Sequence, residues 1–517
     1  MQTEQLQIPA DYSRHGWWRQ SALPSKSTVA WVLLIAALGF LLISGLFWVA
    51  LNFPRFGMAA PVAIVVIVPL ALISGAMAIP RLSRKMSSLW PKLRWWHALW
   101  VLLYISTLVF RVRDQEATQA QPLDAWTLLR IIPEMIVALW LMARLYRRQE
   151  ALAWIRCMFG GIPGALTLFA LVCCASTMWS VYSAWTLYKS LEYLLDVSVL
   201  GVALANIWTL EDYEVLFDWT WVIFGVELAW VWLQVPLWPS DSFAEARIRG
   251  IIPATGSNAV GQSGAFFAVI ALCRLLPLSR RRSNTSLYIL LFVFSFISLL
   301  ISQTRNAVGA FLLAVVLVLI LSGRILTFIT SSVVGALTLL FTPLGGIVIA
   351  YLQREQNAEA MKSLTGRAEV WTFALQQFAA HPLLGMGAYA AGRFFIMTKL
   401  GTDTATLHSD WIELLVGVGL AGLFPFVAAL GATWWYLIRG VSDRTLSPQG
   451  QQMAYEAIGV LAVITVHSFF NVELIWHVPL LLFVVVGYAE LLRRKKARAP
   501  RVLRARPVGV PSYSTAG

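Results

Sequence analysis

The sequence predicts an all-α fold, a polytopic transmembrane helical bundle of about fourteen spans. Three observations predict it. The 517 residues are 58% hydrophobic and only 13% charged, about half the charged fraction of a soluble protein. Mean hydropathy is +0.70, and runs of about 18 or more apolar residues recur along nearly the whole length. Those runs do not alternate with period two, which excludes a transmembrane β-barrel.

Spans are expected at roughly 29–51, 58–79, 95–110, 127–146, 158–178, 188–208, 215–237, 256–276, 287–303, 307–322, 327–351, 409–437, 452–470 and 476–492. A polar segment, 1–28, precedes them, and a basic tail, 493–517, follows. The first span is too long for the apolar core of a cleavable signal peptide. Lys and Arg collect in "PRLSRKMSSLWPKLR", "RLYRRQEALAWIR", "SRRR" and "RRKKARAPRVLRAR". By the positive-inside rule these are cytoplasmic, as are both termini. The acidic "TLEDYE" at 209–214 is placed inside as well; acidic residues count little in that rule. The longest loop, 352–407, then lies outside, and "TGRAEVWTFALQQFAAHP" within it has helical apolar spacing between Gly and Pro.

The net charge of +14 is accounted for by cytoplasmic loops and a tail seated on anionic lipid. Nucleic acid is therefore not an expected partner, whereas membrane lipid is. Cys157, Cys173, Cys174 and Cys273 have no metal-ligand spacing and read as small core residues. His408, His467, Glu473 and His477 are too scattered for a metal site, so no metal and no cofactor are expected. "GMGAYAAG" follows no strand and reads as a turn, not a nucleotide loop. In-span Glu134, Lys189, Glu192 and Asp196 could mark an ion path; Lys189 and Glu192, three apart, are expected to pair.

Chemistry concentrates on the predicted outer side. In "LHSDWIELLVGVGLAG", Asp410 and Glu413 have the spacing of an N-cap and its N3 partner, so a helix is expected from about Trp411. His408 then sits beyond the positive end of that helix, which disfavours imidazolium. A neutral imidazole can act as general base, or it can be an interfacial histidine bonded to a carbonyl. Arg305 in "SQTRNAVGAF", Arg367 in "LTGRAEVW", and Arg247 and Arg249 in "RIRGIIPATGSNAVGQSG" fall on the same side. Arginine near the bilayer is costly and needs a partner. The guanidinium fork suits phosphate oxygens; local acids such as Asp241, Glu245, Glu369 or Asp403 are the alternative.

Five segments, in order, resemble the bacterial O-antigen ligases and O-antigen or exopolysaccharide polymerases, polytopic membrane glycosyltransferases with a GT-C-like architecture. They are "STMWSVYSAWTLYKSLEYLL", "RGIIPATGSNAVGQSGAFFAV", "SQTRNAVGAFLLA", "LTGRAEVWTFALQQFAAHPLLGMGAY" and "LHSDWIELLVGVGLAGL". The resemblance covers roughly 170–490. It leaves the first part of the chain uncovered, where two spans beyond the family's usual twelve would lie. It implies a donor glycan on undecaprenyl diphosphate and a sugar hydroxyl as acceptor, on a glycan or on lipid A-core. It implies His408 as the essential histidine, Arg305 as a pyrophosphate-binding arginine and Arg367 as the arginine of the large periplasmic loop, also on the pyrophosphate, with Arg249 an addition to them; Asp410 and Glu413, from their spacing, are the expected supporting residues. Ser409 stands where many relatives have Asn. A chain-length regulator is a candidate partner, and the inner membrane of a bacterium is the implied location. The competing class is a lipid-linked oligosaccharide flippase or other multi-span transporter. Transporters are commonly built from two related halves; none is visible here, and the candidate residues crowd one face. A scaffold without catalysis leaves the costly arginines unexplained.

Overall fold

The computed structural model describes residues 83–110, 124–244, 247–276, 285–341, 346, 367–401, 406–475 and 479–498. The predicted segment 1–28, spans 29–51 and 58–79, residues 352–366 and 402–405 of the long loop, His477 and the tail beyond 498 lie outside them. The described chain is all-α apart from one small hairpin. Its main helices are α1 (Trp95–Thr107), α2 (Ala125–Leu145), α3 (Arg148–Phe159), α4 (Gly161–Ala175), α5 (Ser183–Asn206), α6 (Leu210–Gln234) and α7 (Ser257–Leu275). There follow α8 (Thr285–Ile301), α9 (Arg305–Leu321), α10 (Ile325–Phe341), α11 (Arg367–Ala380), α12 (Asp410–Val441), α13 (Pro448–His467) and α14 (Leu480–Arg498). Strands β1 (Phe243–Ala244) and β2 (Arg247–Ile248) pair antiparallel, Ala244 opposite Arg247.

Every predicted span within the described residues coincides with a helix. Among the described residues, four helical stretches are both long and apolar enough to cross a membrane alone: Gly161–Trp179, Leu210–Gln234, Ser257–Leu275 and Asp410–Val441. Helices α8, α9 and α10 are apolar and have 17 described residues each, a rise of about 25 Å against a hydrocarbon core of about 30 Å. Two boundaries differ from expectation. "RRQEALAWIR", read as a cytoplasmic connection, is largely helix α3. "TLEDYE" is the cap and first turn of α6: Thr209 accepts from Asp212 N at 3.1 Å, and Asp212 accepts from Thr209 N at 3.1 Å. This reciprocal box satisfies two helix-end donors that a loop reading had left open.

The chain divides into two compact units, 1–63 with 319–349, and 64–318 with 350–517. In the first, the described part is the end of α9 and helix α10, which has no buried side chain. In the second, α12 packs against α4, α11, α13 and α14, while α7 packs against α8 and α13. Phe426 of α12 meets Phe169 of α4 with ring centroids 5.2 Å apart. Toward the C-terminal end of α12, buried charges are paired, as charges in a low-dielectric interior must be. Glu490 of α14 accepts from Arg493 and Arg494 and from Ile162 N at 3.1 Å. Arg274 of α7 bridges Glu456 and Asp218, each at 2.8 Å.

Helix α12 breaks at Gly419, where φ is 56° and ψ −158°, a conformation essentially confined to glycine. The break frees backbone groups on both sides, and the loop after α11 takes them up. Met386 N and Gly387 N donate to Val416 O and Gly417 O at 2.8 and 2.9 Å; Leu420 N and Ala421 N donate to Pro382 O and Leu383 O at 2.9 Å each. "PLLGMG" and "VGVGLAG" are thereby interlocked. The "STMWS" segment closes on the same loop: Ala388 N donates to Ser176 Oγ at 3.0 Å, Thr186 Oγ1 to Ala388 O at 2.8 Å and Trp179 Nε1 to Leu384 O at 3.2 Å.

Candidate active site

Arg305 is the first residue of α9, behind the turn Ser302–Thr304 that joins it to α8. Gln303 in that turn has φ 50°, left-handed and strained for a residue other than glycine. Arg247 of β2 holds the turn. Its Nε donates to Ser302 O at 2.9 Å, and its Nη2 donates to Asn258 Oδ1 at 2.9 Å and Thr304 Oγ1 at 3.3 Å. Thr304 Oγ1 in turn donates to Ser257 O at 3.1 Å. Only glycine fits at 261 in α7, since a Cβ there would lie 2.5 Å from Ser302 Oγ.

Arg367 is the first described residue of α11 and is half-buried. Its Nη1 donates to Phe470 O at 2.9 Å. One turn on, Trp371 Nε1 donates to Leu407 O at 2.8 Å. Helix α11 is thus strapped to the residue before His408 and to the connection between α13 and α14.

His408 is half-buried and has φ 55°. Its Nδ1 is buried without a hydrogen-bond partner among the described residues. The neighbours fix it. Ser409, not Asp410, is the N-cap of α12, accepting from Ile412 N at 3.5 Å, so the helix starts one residue earlier than the spacing predicted. Asn would cap equally well there. Glu413 reaches back past the cap: its Oε1 accepts from Leu407 N at 2.7 Å. Asp410 is fully buried, and its Oδ2 accepts from Glu473 N and Leu474 N at 2.9 Å each. Asp410 N donates to Ser468 O at 3.0 Å. The two carboxylates therefore pin the two loops that frame His408, one on either side.

The electrostatics bring three predicted residues together. Burial, and then the Arg305 guanidinium, pull the pKa of Arg367 below its usual value. Burial, and then Arg367, lower that of His408 to about 4. Arg305, Arg367 and His408 are thus within electrostatic reach in sequence, and the imidazole is neutral at pH 7. Arg249 is tied elsewhere: it is exposed, and its Nε donates to Asp241 O at 2.7 Å. The neighbouring Arg247 is the one that meets the Arg305 turn. The sequence contained both, but spacing gave no reason to prefer Arg247.

Other candidates stand apart. His467 Nδ1 lies 3.4 Å from Glu473 Oε1, and no cluster of metal-binding side chains occurs among the described residues. Lys189 pairs with Glu192 on α5, as expected. Asp196, one turn further along, is fully buried with neither carboxylate oxygen hydrogen-bonded in the structure.

A helical membrane protein with Arg305, Arg367 and a neutral His408 within electrostatic reach, the histidine beside the N-terminus of the longest described helix, is the class this geometry defines. Residues 290–427 match the family model described as O-antigen ligase. The matched stretch contains Arg305, Arg367 and His408. No curated protein matches the chain.

Proposed function

We propose that this protein transfers a glycan from undecaprenyl diphosphate to a sugar hydroxyl at the periplasmic face of the bacterial inner membrane. The match of residues 290–427 to the O-antigen ligase model supports a membrane glycosyltransferase of the ligase or polymerase type. The observation that carries the finer reading is the convergence of Arg305, Arg367 and His408. Arg305 at the N-terminus of α9, Arg367 at the start of α11 and His408 beside the N-terminus of α12 lie within electrostatic reach of one another, and guanidinium forks near helix N-termini suit the oxygens of a diphosphate.

In the proposed reaction the acceptor hydroxyl attacks the anomeric carbon and gives its proton to the His408 imidazole. The bond from that carbon to the diphosphate oxygen breaks, and undecaprenyl diphosphate leaves with the electron pair. Charge grows on the diphosphate in the transition state, where preorganised cations stabilise it most. Arg305 and Arg367 serve there, with Arg249 as a more remote contributor. A single displacement inverts the anomeric centre. Asp410 and Glu413 act by positioning. Both termini are cytoplasmic in this reading, the long loop covers the sugar, and the full chain makes about fourteen crossings. A chain-length regulator is a proposed partner.

The test uses purified protein in lipid nanodiscs, first with lipid-linked repeat units alone, then with lipid A-core added. Ladders in the first case mean a polymerase; capped lipid A-core in the second means a ligase. His408→Ala and Arg305→Ala proteins that insert normally and still form full product would refute the assigned roles. A flippase or other transporter draws support from the buried in-span carboxylates Glu134, Glu192 and Asp196; it predicts movement of the lipid-linked glycan across the bilayer with no glycosidic bond formed.

A further inference from the structure

A second site lies at the other end of α12. From Asp410 to Val441 that helix rises roughly 45 Å at 1.5 Å per residue, more than the hydrocarbon core of a bilayer. The two ends therefore belong to opposite membrane faces, whichever face is inside. Beside the C-terminal end, α3, α5, α6, α12 and α14 line an open cavity of about 1070 Å³.

The walls of the cavity differ in chemistry. Arg439, Arg494, Lys495 and Lys496 line one part, with Asp443 the one acid in the lining. That acid is partly engaged, its Oδ1 accepting from Thr445 N at 2.9 Å and from Thr445 Oγ1 at 2.7 Å. Three of the four cations are held in place. Arg439 stacks on Trp435, its Cζ 3.9 Å from the ring centroid. Arg494 donates Nε to Glu490 at 2.9 Å and Nη1 to Leu204 O at 3.2 Å. Lys495 Nζ donates to Thr445 O and Oγ1 at 3.0 and 3.1 Å. Much of the remaining lining is apolar, with Leu204, Ile207, Leu210, Leu491 and Leu492. Trp208, 78% exposed, stands at the rim, the type of side chain that settles at headgroup level.

We infer that this cavity binds an anionic phospholipid, its phosphate among the four cations and an acyl chain along the leucine wall. Paired-off surface charge does not need a cavity, and a free phosphate would leave the apolar half of this one unfilled. A lipid satisfies both halves, and basic pockets between membrane helices are suited to lipid phosphates. The inference depends on the helices crossing a bilayer and is independent of the chemistry assigned to His408.

The test is native mass spectrometry on the full-length detergent-purified protein, titrated with dioleoylphosphatidylglycerol, dioleoylphosphatidylcholine or inorganic phosphate. Phosphatidylglycerol should bind in preference to phosphatidylcholine and should not be displaced by inorganic phosphate. The double variant Arg439→Gln/Lys496→Gln should lose about 30-fold in phosphatidylglycerol affinity, on the order of tenfold or less per basic residue removed. The equal-charge control Arg148→Gln/Arg444→Gln, outside the lining, should lose little. Ala205→Trp, which fills the space beside Leu204 and leaves every charge in place, should also weaken binding. Equal binding of the two lipids, displacement by inorganic phosphate, or an equal loss in the control would overturn the proposal. If the double variant elutes as aggregate, undiminished binding by Ala205→Trp overturns it instead.

Discussion

Removing the carboxylate of Glu413 tests how His408 is held. The Glu413 side chain is 4% exposed and accepts a 2.7 Å hydrogen bond from Leu407 N. Glu413→Ala leaves that buried N–H without a partner, at a cost of about 1–3 kcal/mol. It also releases the residue before His408, whose left-handed backbone, φ 55°, stores about 1–2 kcal/mol that its surroundings must supply. Once released, the backbone relaxes to an ordinary conformation, and the productive placement of the imidazole falls to roughly a tenth of the population. We expect kcat to fall about tenfold with KM for the lipid-linked donor nearly unchanged, and the melting temperature in detergent to drop. Glu413→Gln keeps an acceptor oxygen at the same place, so it should restore kcat to within about threefold of the parent. The assay is initial-rate product formation with both variants, beside circular-dichroism melts. A Glu413→Gln protein as slow as Glu413→Ala would refute the tether and assign the effect to the negative charge.

Three further outcomes are expected. His408, with its pKa near 4 in the free protein, keeps its basic form as pH falls from 7 to about 5; kcat/KM should stay flat over that range and decline only as pH passes through the folded value. A fall centred near 6.5, the ordinary histidine value, would contradict this. The same lowered pKa means that His408 contributes a loss of stability as pH drops below 6.5, because the unfolded chain takes up the proton first. Arg247→Ala should damage activity more than Arg249→Ala, since the first loses two hydrogen bonds to the Arg305 turn and one to Asn258, and the second loses one exposed contact; kinetics of the two single variants decide it. Gly419→Ala places a methyl group 2.5 Å from Leu383 O in a backbone region closed to alanine. It should destabilise by about 2 kcal/mol or more, read as a lower melting temperature and faster proteolysis after Leu383.

The helices were legible because a membrane span needs only length and apolarity, and each run in the described part of the chain became one. The helix α3 was missed for the converse reason: "RRQEALAWIR" has helical spacing but too many charges to register as a span. Ser409 was passed over as cap because Asp410 and Glu413 satisfy the same pattern one residue later; what separates them is that Asp410 is drawn to Glu473 N and Leu474 N, about sixty residues away. Arg305, Arg367 and His408 could each be picked out as costly residues, yet their meeting depends on tertiary contacts such as Arg367 to Phe470 O. Arg247 and Arg249 are alike in type and two positions apart. Only the fold of the hairpin decides which one faces Ser302, and the left-handed backbone at His408 leaves no mark in composition at all.

The break in α12 also bears on how the protein is made. Four backbone groups around Gly419 find partners only in residues 382–387, a segment that the ribosome completes before the span itself emerges. Those four hydrogen bonds close only once the span has reached the depth and rotation that bring Val416 to Ala421 against the segment. A span inserted one turn too deep would strand these peptide groups in hydrocarbon.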